Sequence, residues 1–266
     1  MDILRISLIA VNLMATNVGY AQSPLFNEVV AMWQFDEVGR PRSIEDTSGN
    51  GHDALVVHKP KFADGKFGTA IRSNRGTENY LEVPDHEALQ LTDAISMVAW
   101  VKRPPVAKDR APYYILAKGN TWQSNISGYG IALHKVFNNM FYFWYKGGFQ
   151  GTDGIKDDQW HHYAVVAKNG ARRPTLYIDG KLKSVTHEDG ETRIELVPTP
   201  PHRTINLIIG ALVPGKARFD SFSDNTIDEV AVFKTALMQS DIQTLMTNGL
   251  DRGIYSVSPS GKLATR

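Results

Sequence analysis

From Ala31 onward the chain alternates apolar and polar residues at a spacing of two, in short runs divided by Gly, Asp, Asn and Pro clusters. This pattern restricts the fold more than any other feature. The runs read as strands over Val30–Phe35, Tyr80–Val83, Ala94–Lys102, Tyr113–Lys118, Tyr129–His134, Met140–Lys146, Trp160–Ala167, Thr175–Ile178, Lys181–Thr186, Ile205–Ala211 and Thr226–Phe233. Asp179-Gly180, between two of them, tolerates positive φ and marks a two-residue hairpin turn. A single amphipathic helix stands out. Ser240 is placed to cap it, Asp241 suits its positive end, Ile242, Leu245 and Met246 form an i, i+3, i+4 stripe, and Gly249 is placed to end it. A parallel α/β fold needs a helix between successive strands, so that class is excluded. The expected fold class is all-β, a two-sheet antiparallel sandwich with one short C-terminal helix.

At 266 residues the chain is long enough to bury a core without covalent staples, and the absence of cysteine removes disulfides, thiolate nucleophiles and cysteine-ligated metals. With 29 basic against 28 acidic residues, nothing in the charge favours nucleic acid or an anionic membrane. No apolar stretch reaches the roughly 20 residues of a membrane span. Arg5, the apolar residues 6–15 and the small residues of Gly19-Tyr20-Ala21 form the layout of a signal peptide over residues 1–21, cleaved before Gln22. On that reading the mature protein is exported, to the periplasm, the cell surface or the medium; the other reading of this segment is a buried N-terminal helix or strand. Residues 22–252 are expected to form the one domain, and 253–266, with Pro259 and Gly261, a flexible polar tail.

Several local patterns then follow one another. Met32-Trp33-Gln34-Phe35-Asp36-Glu37 precedes Asp46-Thr47-Ser48-Gly49-Asn50-Gly51-His52, and Gly65-Lys66-Phe67-Gly68-Thr69-Ala70 precedes Asn79-Tyr80-Leu81-Glu82-Val83-Pro84. Val98-Ala99-Trp100-Val101-Lys102, Trp160-His161-His162-Tyr163-Ala164, Leu176-Tyr177-Ile178-Asp179-Gly180 and Ile227-Asp228-Glu229-Val230-Ala231-Val232-Phe233 lead to the helix at its end. In this order the set resembles the laminin-G-like jelly-roll domains of the concanavalin A-like lectin/glucanase superfamily. The resemblance runs from about Ala31 to Gly249. It implies two stacked antiparallel sheets, one concave, with the first and last strands side by side. It implies little about function, because the superfamily includes lectins, enzymes and adhesive modules.

The loop Asp46–His52 combines a carboxylate, an amide and a tightly turned backbone, oxygen donors of the kind calcium accepts. Similar domains hold one structural calcium between this loop and an aspartate near the last strand. The resemblance therefore implies carboxylates from Asp46 and Asp228, carbonyls around Asn50 and His52, and Asp36 as a further ligand. The residues alone equally allow Asx turns at Asp46 and Asn50 with Asp228 facing solvent. In the aromatic run 140–145, alternation sends Phe141, Phe143 and Tyr145 one way and Met140, Tyr142 and Trp144 the other. One set feeds the core. The other either lines a sugar platform, with Trp122 as a further wall, or is covered by loops. Trp33, Trp100 and Trp160 are expected in the core, and His161 and His162, pointing to opposite faces, as hydrogen-bonding framework residues.

Glycoside hydrolases of the superfamily carry E-x-D-x-x-E or E-x-D-x-E along one strand, and no glutamate here is followed two places later by aspartate. The cluster Glu188-Asp189-Gly190-Glu191 reads as a hairpin loop, and Asp228 and Glu229 as neighbours directed to opposite faces. There is no G-x-S-x-G elbow, H-E-x-x-H or phosphate-binding glycine loop. The leading expectation is an exported non-catalytic recognition module that binds a glycan or an extracellular protein, clamped by calcium. The rivals are a glycoside hydrolase or polysaccharide lyase with a site gathered from distant strands, and a purely structural assembly module.

Overall fold

The computed structural model describes residues 24–254 apart from 38, 40, 104–111, 120–127, 135–138, 191–192, 199–202, 213–221 and 223. The expected signal segment, Trp122 and all but the first two residues of the expected tail lie outside the described residues. The strands in chain order are β1 (Val29–Trp33), β2 (Ser43–Ile44), β3 (Ala54–Val57), β4 (Lys61–Asp64), β5 (Thr69–Arg72), β6 (Tyr80–Val83), β7 (Ala94–Lys102), β8 (Pro112–Lys118) and β9 (Tyr129–His134). They continue with β10 (Met140–Tyr145), β11 (Gly148–Thr152), β12 (Trp160–Lys168), β13 (Thr175–Ile178), β14 (Lys181–Lys183), β15 (His187–Gly190), β16 (Leu207–Ile209) and β17 (Thr226–Phe233), and the chain closes with α1 (Gln239–Ile254).

One sheet has eight strands in the order β14-β13-β12-β7-β17-β5-β4, with β1 also paired to β17; the other has nine, β15-β11-β10-β9-β8-β16-β6-β3-β2. The first strand does lie beside the last, Met32 opposite Ala231 and Trp33 opposite Val230. Between the sheets, Trp33, Phe35, Phe141, Phe143, Tyr145 and Tyr163 join the aliphatic residues of β7, β12 and β17 in one core. The aromatic run thus divides as alternation requires, since Met140, Tyr142 and Trp144 form a separate cluster on the outer face of the nine-stranded sheet.

Three readings of the sequence need correction. His187–Gly190 is a strand paired with β11 rather than a hairpin loop, so Glu188 and Asp189 decorate a sheet edge. Charge on an outermost strand deters pairing with another chain. Trp100 is buried but on the outer face of its sheet, against Phe67 and His162, and Trp160 is only partly buried. The helix is capped two residues earlier than Ser240 suggests. Asp241 reaches back to accept from the Met238 backbone N–H at 2.8 Å, while Gly249 (φ 77°, ψ 171°) interrupts the helix as expected and a second short turn follows it. Leu250 and Ile254 beyond the kink are buried with Ile242 and Leu245 on the outer face of the eight-stranded sheet.

At one end of the core Lys118 is almost fully buried. Its Nζ donates to Asp85 Oδ1 and to the Ile205 carbonyl, each at 2.5 Å, while Asp85 Oδ2 accepts from the Ile205 N–H. Burial pulls the Lys118 ammonium below its ordinary range, and the Asp85 carboxylate opposes that shift.

Candidate functional site

The Asp46–His52 loop lies along the free edge of β1. Asp46 Oδ1 accepts from the backbone N–H groups of Met32 and Ser48, both at 3.0 Å, and Oδ2 from that of His52 at 2.9 Å. Asn50 Nδ2 donates to the carbonyls of Val29 and Val30 at 3.0 and 2.9 Å, and the His52 carbonyl accepts from Trp33 Nε1 at 3.0 Å. A short acidic loop therefore satisfies an edge strand that would otherwise expose its donors and acceptors.

Asp228, in β17, and Asp36, just after β1, turn elsewhere, to the segment joining β4 and β5. Asp228 Oδ2 accepts from Lys66 N and Phe67 N at 2.7 and 3.0 Å, and Asp36 Oδ1 from Thr69 N at 2.7 Å. The five residues expected around calcium are thus divided between two hydrogen-bonded centres. Among the described residues no group of three or more Asp, Glu or His side chains is drawn together closely enough to hold a metal ion. Beside Asp46, however, a pocket of about 430 Å³ is also lined by Glu37, Glu45 and Asp53, which no sequence motif singled out. Glu37 Oε1 accepts from Glu45 N and Asp53 Oδ1 from Asp46 N, whereas the buried Glu37 Oε2 has no hydrogen-bond partner. Burial raises the Glu37 carboxyl above its usual range, and Asp36 and Glu45 push the same way.

The pair Asp228-Glu229 departs from simple alternation. A bulge between Asp228, opposite Trp100, and Ala231, opposite Val98, places Glu229 in the left-handed region at φ 51°. Both side chains consequently leave the inter-sheet core: Asp228 binds the turn at Phe67, and Glu229 accepts from the Leu250 N–H beside that ring. A bulge cannot be read from residue spacing alone. Burial is the main reason the two carboxyls rise to about 8 and about 7, and each is at most 2% exposed. Their shifts resemble those of a catalytic acid, but both groups are enclosed and accept from backbone N–H groups.

His162, Trp100 and Asp228 occupy one row across β12, β7 and β17. Burial lowers the His162 imidazole to about 4, so it is neutral in the folded protein at pH 7. An unfolded histidine titrates near 6.5. The lowered folded value means that stability is present above about pH 6.5 and is lost as pH falls toward 4, at up to about 1.4 kcal/mol per pH unit. Urea unfolding from pH 7 to 4 is expected to show this slope as the difference between the parent and His162→Phe; parallel curves contradict it. His161, its neighbour, holds Asp179 Oδ2 and Asp157 Oδ1 at 2.8 and 2.9 Å, the framework role expected of it.

On the outer face of the nine-stranded sheet, pairing lines up Glu82, Ile208, Ala117, Gly130, Trp144 and Phe149 across six strands. Trp144 meets Tyr114 edge-on at 5.8 Å, and Tyr142 contacts Phe149 at 5.7 Å. Gly130 is required there, since a Cβ would enter the Trp144 indole. Across the small residues Ala117 and Gly130, Tyr80 packs against Phe222 and Glu82 accepts from Asn206. Tyr142 is 8% and Trp144 2% exposed, so these two expected ligand residues are closed in this conformation, while Phe149, His134, Glu82 and Asn206 stay partly exposed.

A laminin-G model of the concanavalin A-like lectin/glucanase superfamily matches residues 75–243. The chain belongs to this family. Solved structures agree on the fold of this laminin-G-like domain. The binding domain of the paraclostridial mosquitocidal protein 1 is 17% identical with TM-score 0.60, over 84% of this chain and 52% of that one, so the chain spans about half its length. Domain 4 of AbnA, an extracellular arabinanase of Geobacillus stearothermophilus solved with arabinotriose, is 20% identical with TM-score 0.59, over 83% and 98% of the two chains. Trypanosoma rangeli sialidase is 16% identical with TM-score 0.58, over 83% and 32%. Comparison with curated proteins gave no match.

Proposed function

We propose that this laminin-G-like domain is an exported, non-catalytic recognition module that takes a glycan on the outer face of its nine-stranded sheet. The observation that carries the reading is the paired arrangement on that face: aromatic clusters around Trp144 and Tyr80 flank the small residues Ala117 and Gly130, with partly exposed Glu82 and Asn206 at one side. Flat rings suit the C–H face of a sugar, and a carboxylate–amide pair suits its hydroxyls. Because Tyr142 and Trp144 are closed, entry begins at Phe149 and requires their neighbours to move. A domain of this fold solved with arabinotriose supports a glycan ligand. The acids with raised pKa are enclosed and held by backbone donors, which argues against hydrolysis. A glycan array of residues 22–266 is expected to show saturable retention without new reducing ends or unsaturated sugars. Phe149→Ala is expected to weaken retention about tenfold, the order of one lost aromatic contact. Product formation, or retention unaffected by Phe149→Ala, contradicts the proposal.

A structural calcium remains part of this proposal with a different ligand set, at the pocket beside Asp46, whose four carboxylates would have to draw closer to hold it. Glu37, Glu45 and Asp53 line the pocket with Asp46, whose Oδ1 already accepts two hydrogen bonds, and the unpartnered Glu37 Oε2 is the donor that most favours a cation. Bound there, calcium would supply charge balance to the pocket. A ligand held only by the native state raises stability, so EDTA is expected to lower the melting temperature by several degrees and Glu37→Gln to abolish that difference. An identical melting curve in EDTA removes calcium from the proposal.

A further inference from the structure

The chain contains three Asn-Gly steps, Asn50-Gly51, Asn169-Gly170 and Asn248-Gly249, and in each the glycine has positive φ, at 81°, 75° and 77°. With no side chain on the second residue, its backbone nitrogen is the least hindered nucleophile that an asparagine amide can meet along a chain. The three steps differ in how firmly that nitrogen is held. At Gly170 the N–H donates to the Ile194 carbonyl at 2.8 Å and the carbonyl accepts from Arg193, while Asn169 N is tied to Asp93 and Asn169 Oδ1 accepts from Leu196 N. Asn248 lies inside α1, and Gly249 is buried against Phe67 and Glu229. At Gly51 neither constraint applies. Among the described residues its N–H has no hydrogen-bond partner, nothing lies within 4 Å of where a Cβ would stand, and both Asn50 and Gly51 are exposed.

We infer that Asn50-Gly51 is a self-modification site, at which the asparagine amide cyclises onto the next backbone nitrogen and is converted to a carboxylate. Gly51 N loses its proton to hydroxide and adds to Asn50 Cγ. The Cγ–Nδ2 bond breaks, and the nitrogen leaves as ammonia with a proton taken from water. One water molecule then opens the five-membered imide at either of its two carbonyl carbons, giving aspartate or isoaspartate at position 50. The balance is one water consumed and one ammonia released, with no change of oxidation state.

The position gives the change a structural effect. Asn50 Nδ2 is the group that donates to Val29 and Val30 on the free edge of β1. After conversion an oxygen faces those two carbonyl oxygens, acceptor against acceptor, and the loop loses the two ties that Asn50 makes to the strand, keeping those of Asp46 and Thr47 to Met32. The test is incubation of the folded full chain at mildly alkaline pH, followed by peptide mapping with mass spectrometry. The expected result is a gain of one mass unit at the peptide carrying Asn50 before any at Asn169 or Asn248, with an equivalent of ammonia released. Conversion first at either of the other steps, or none at Asn50 while the chain is folded, overturns the assignment. Asn50→Asp tests the consequence: faster hydrogen exchange at the Thr47 amide, which donates to Met32, is expected, and unchanged exchange refutes the loss of edge contact.

Discussion

Asp46→Ala is expected to lower the unfolding free energy by about 3–5 kcal/mol, because each of three backbone N–H groups orphaned in the interior costs about 1–3 kcal/mol before partial relaxation. The donors are those of Met32, Ser48 and His52, residues 0%, 5% and 6% exposed, so water does not readily replace the carboxylate. Asp46→Asn is expected to cost less, since its one remaining amide oxygen still accepts, though without charge. Urea denaturation of the three proteins checks the order. A loss below about 1 kcal/mol for the alanine variant would mean that the loop is held by its other contacts, because that is the worth of one ordinary hydrogen bond.

Lys118→Ala is the second large effect. Removing the ammonium leaves Asp85 as an enclosed carboxylate without its cation, and breaking a buried pair from one side costs about 3–5 kcal/mol. The pair itself contributes much less, since both charges are desolvated. Lys118→Met combined with Asp85→Asn is therefore expected to recover more than half of the loss, the asparagine oxygen still accepting from Ile205 N. A double variant as unstable as Lys118→Ala would show that the ammonium is needed for its bond to the Ile205 carbonyl instead.

The strands of the core were legible because each contributes one face to it. Tyr80–Val83, Ala94–Lys102, Tyr129–His134, Thr175–Ile178 and Thr226–Phe233 have the bounds that alternation indicates. The short outer strands β2, β4 and β15 carry little apolar signal and are defined by their pairing. The Asp179-Gly180 turn was legible from its dipeptide alone, and both residues have positive φ. The site was harder to read. That Asp46 serves backbone donors, and that Glu37 and Asp53 share its pocket, follow from β1 lying at an edge, which no local spacing reveals. Likewise the common direction of Asp228 and Glu229 depends on one bulge, which reverses the expectation that alternation alone supplies.

The pairing of β1 with β17 bears on biogenesis. Val29–Trp33 finds its partner only after Thr226–Phe233 has emerged from the ribosome, about two hundred residues later. Until then the hydrophobic segment Val29–Trp33 lacks its strand partner, so the nascent chain must be shielded in an unclosed form. Final closure then waits for the finished polypeptide, and removal of either of these strands is expected to yield material that aggregates rather than a smaller folded product.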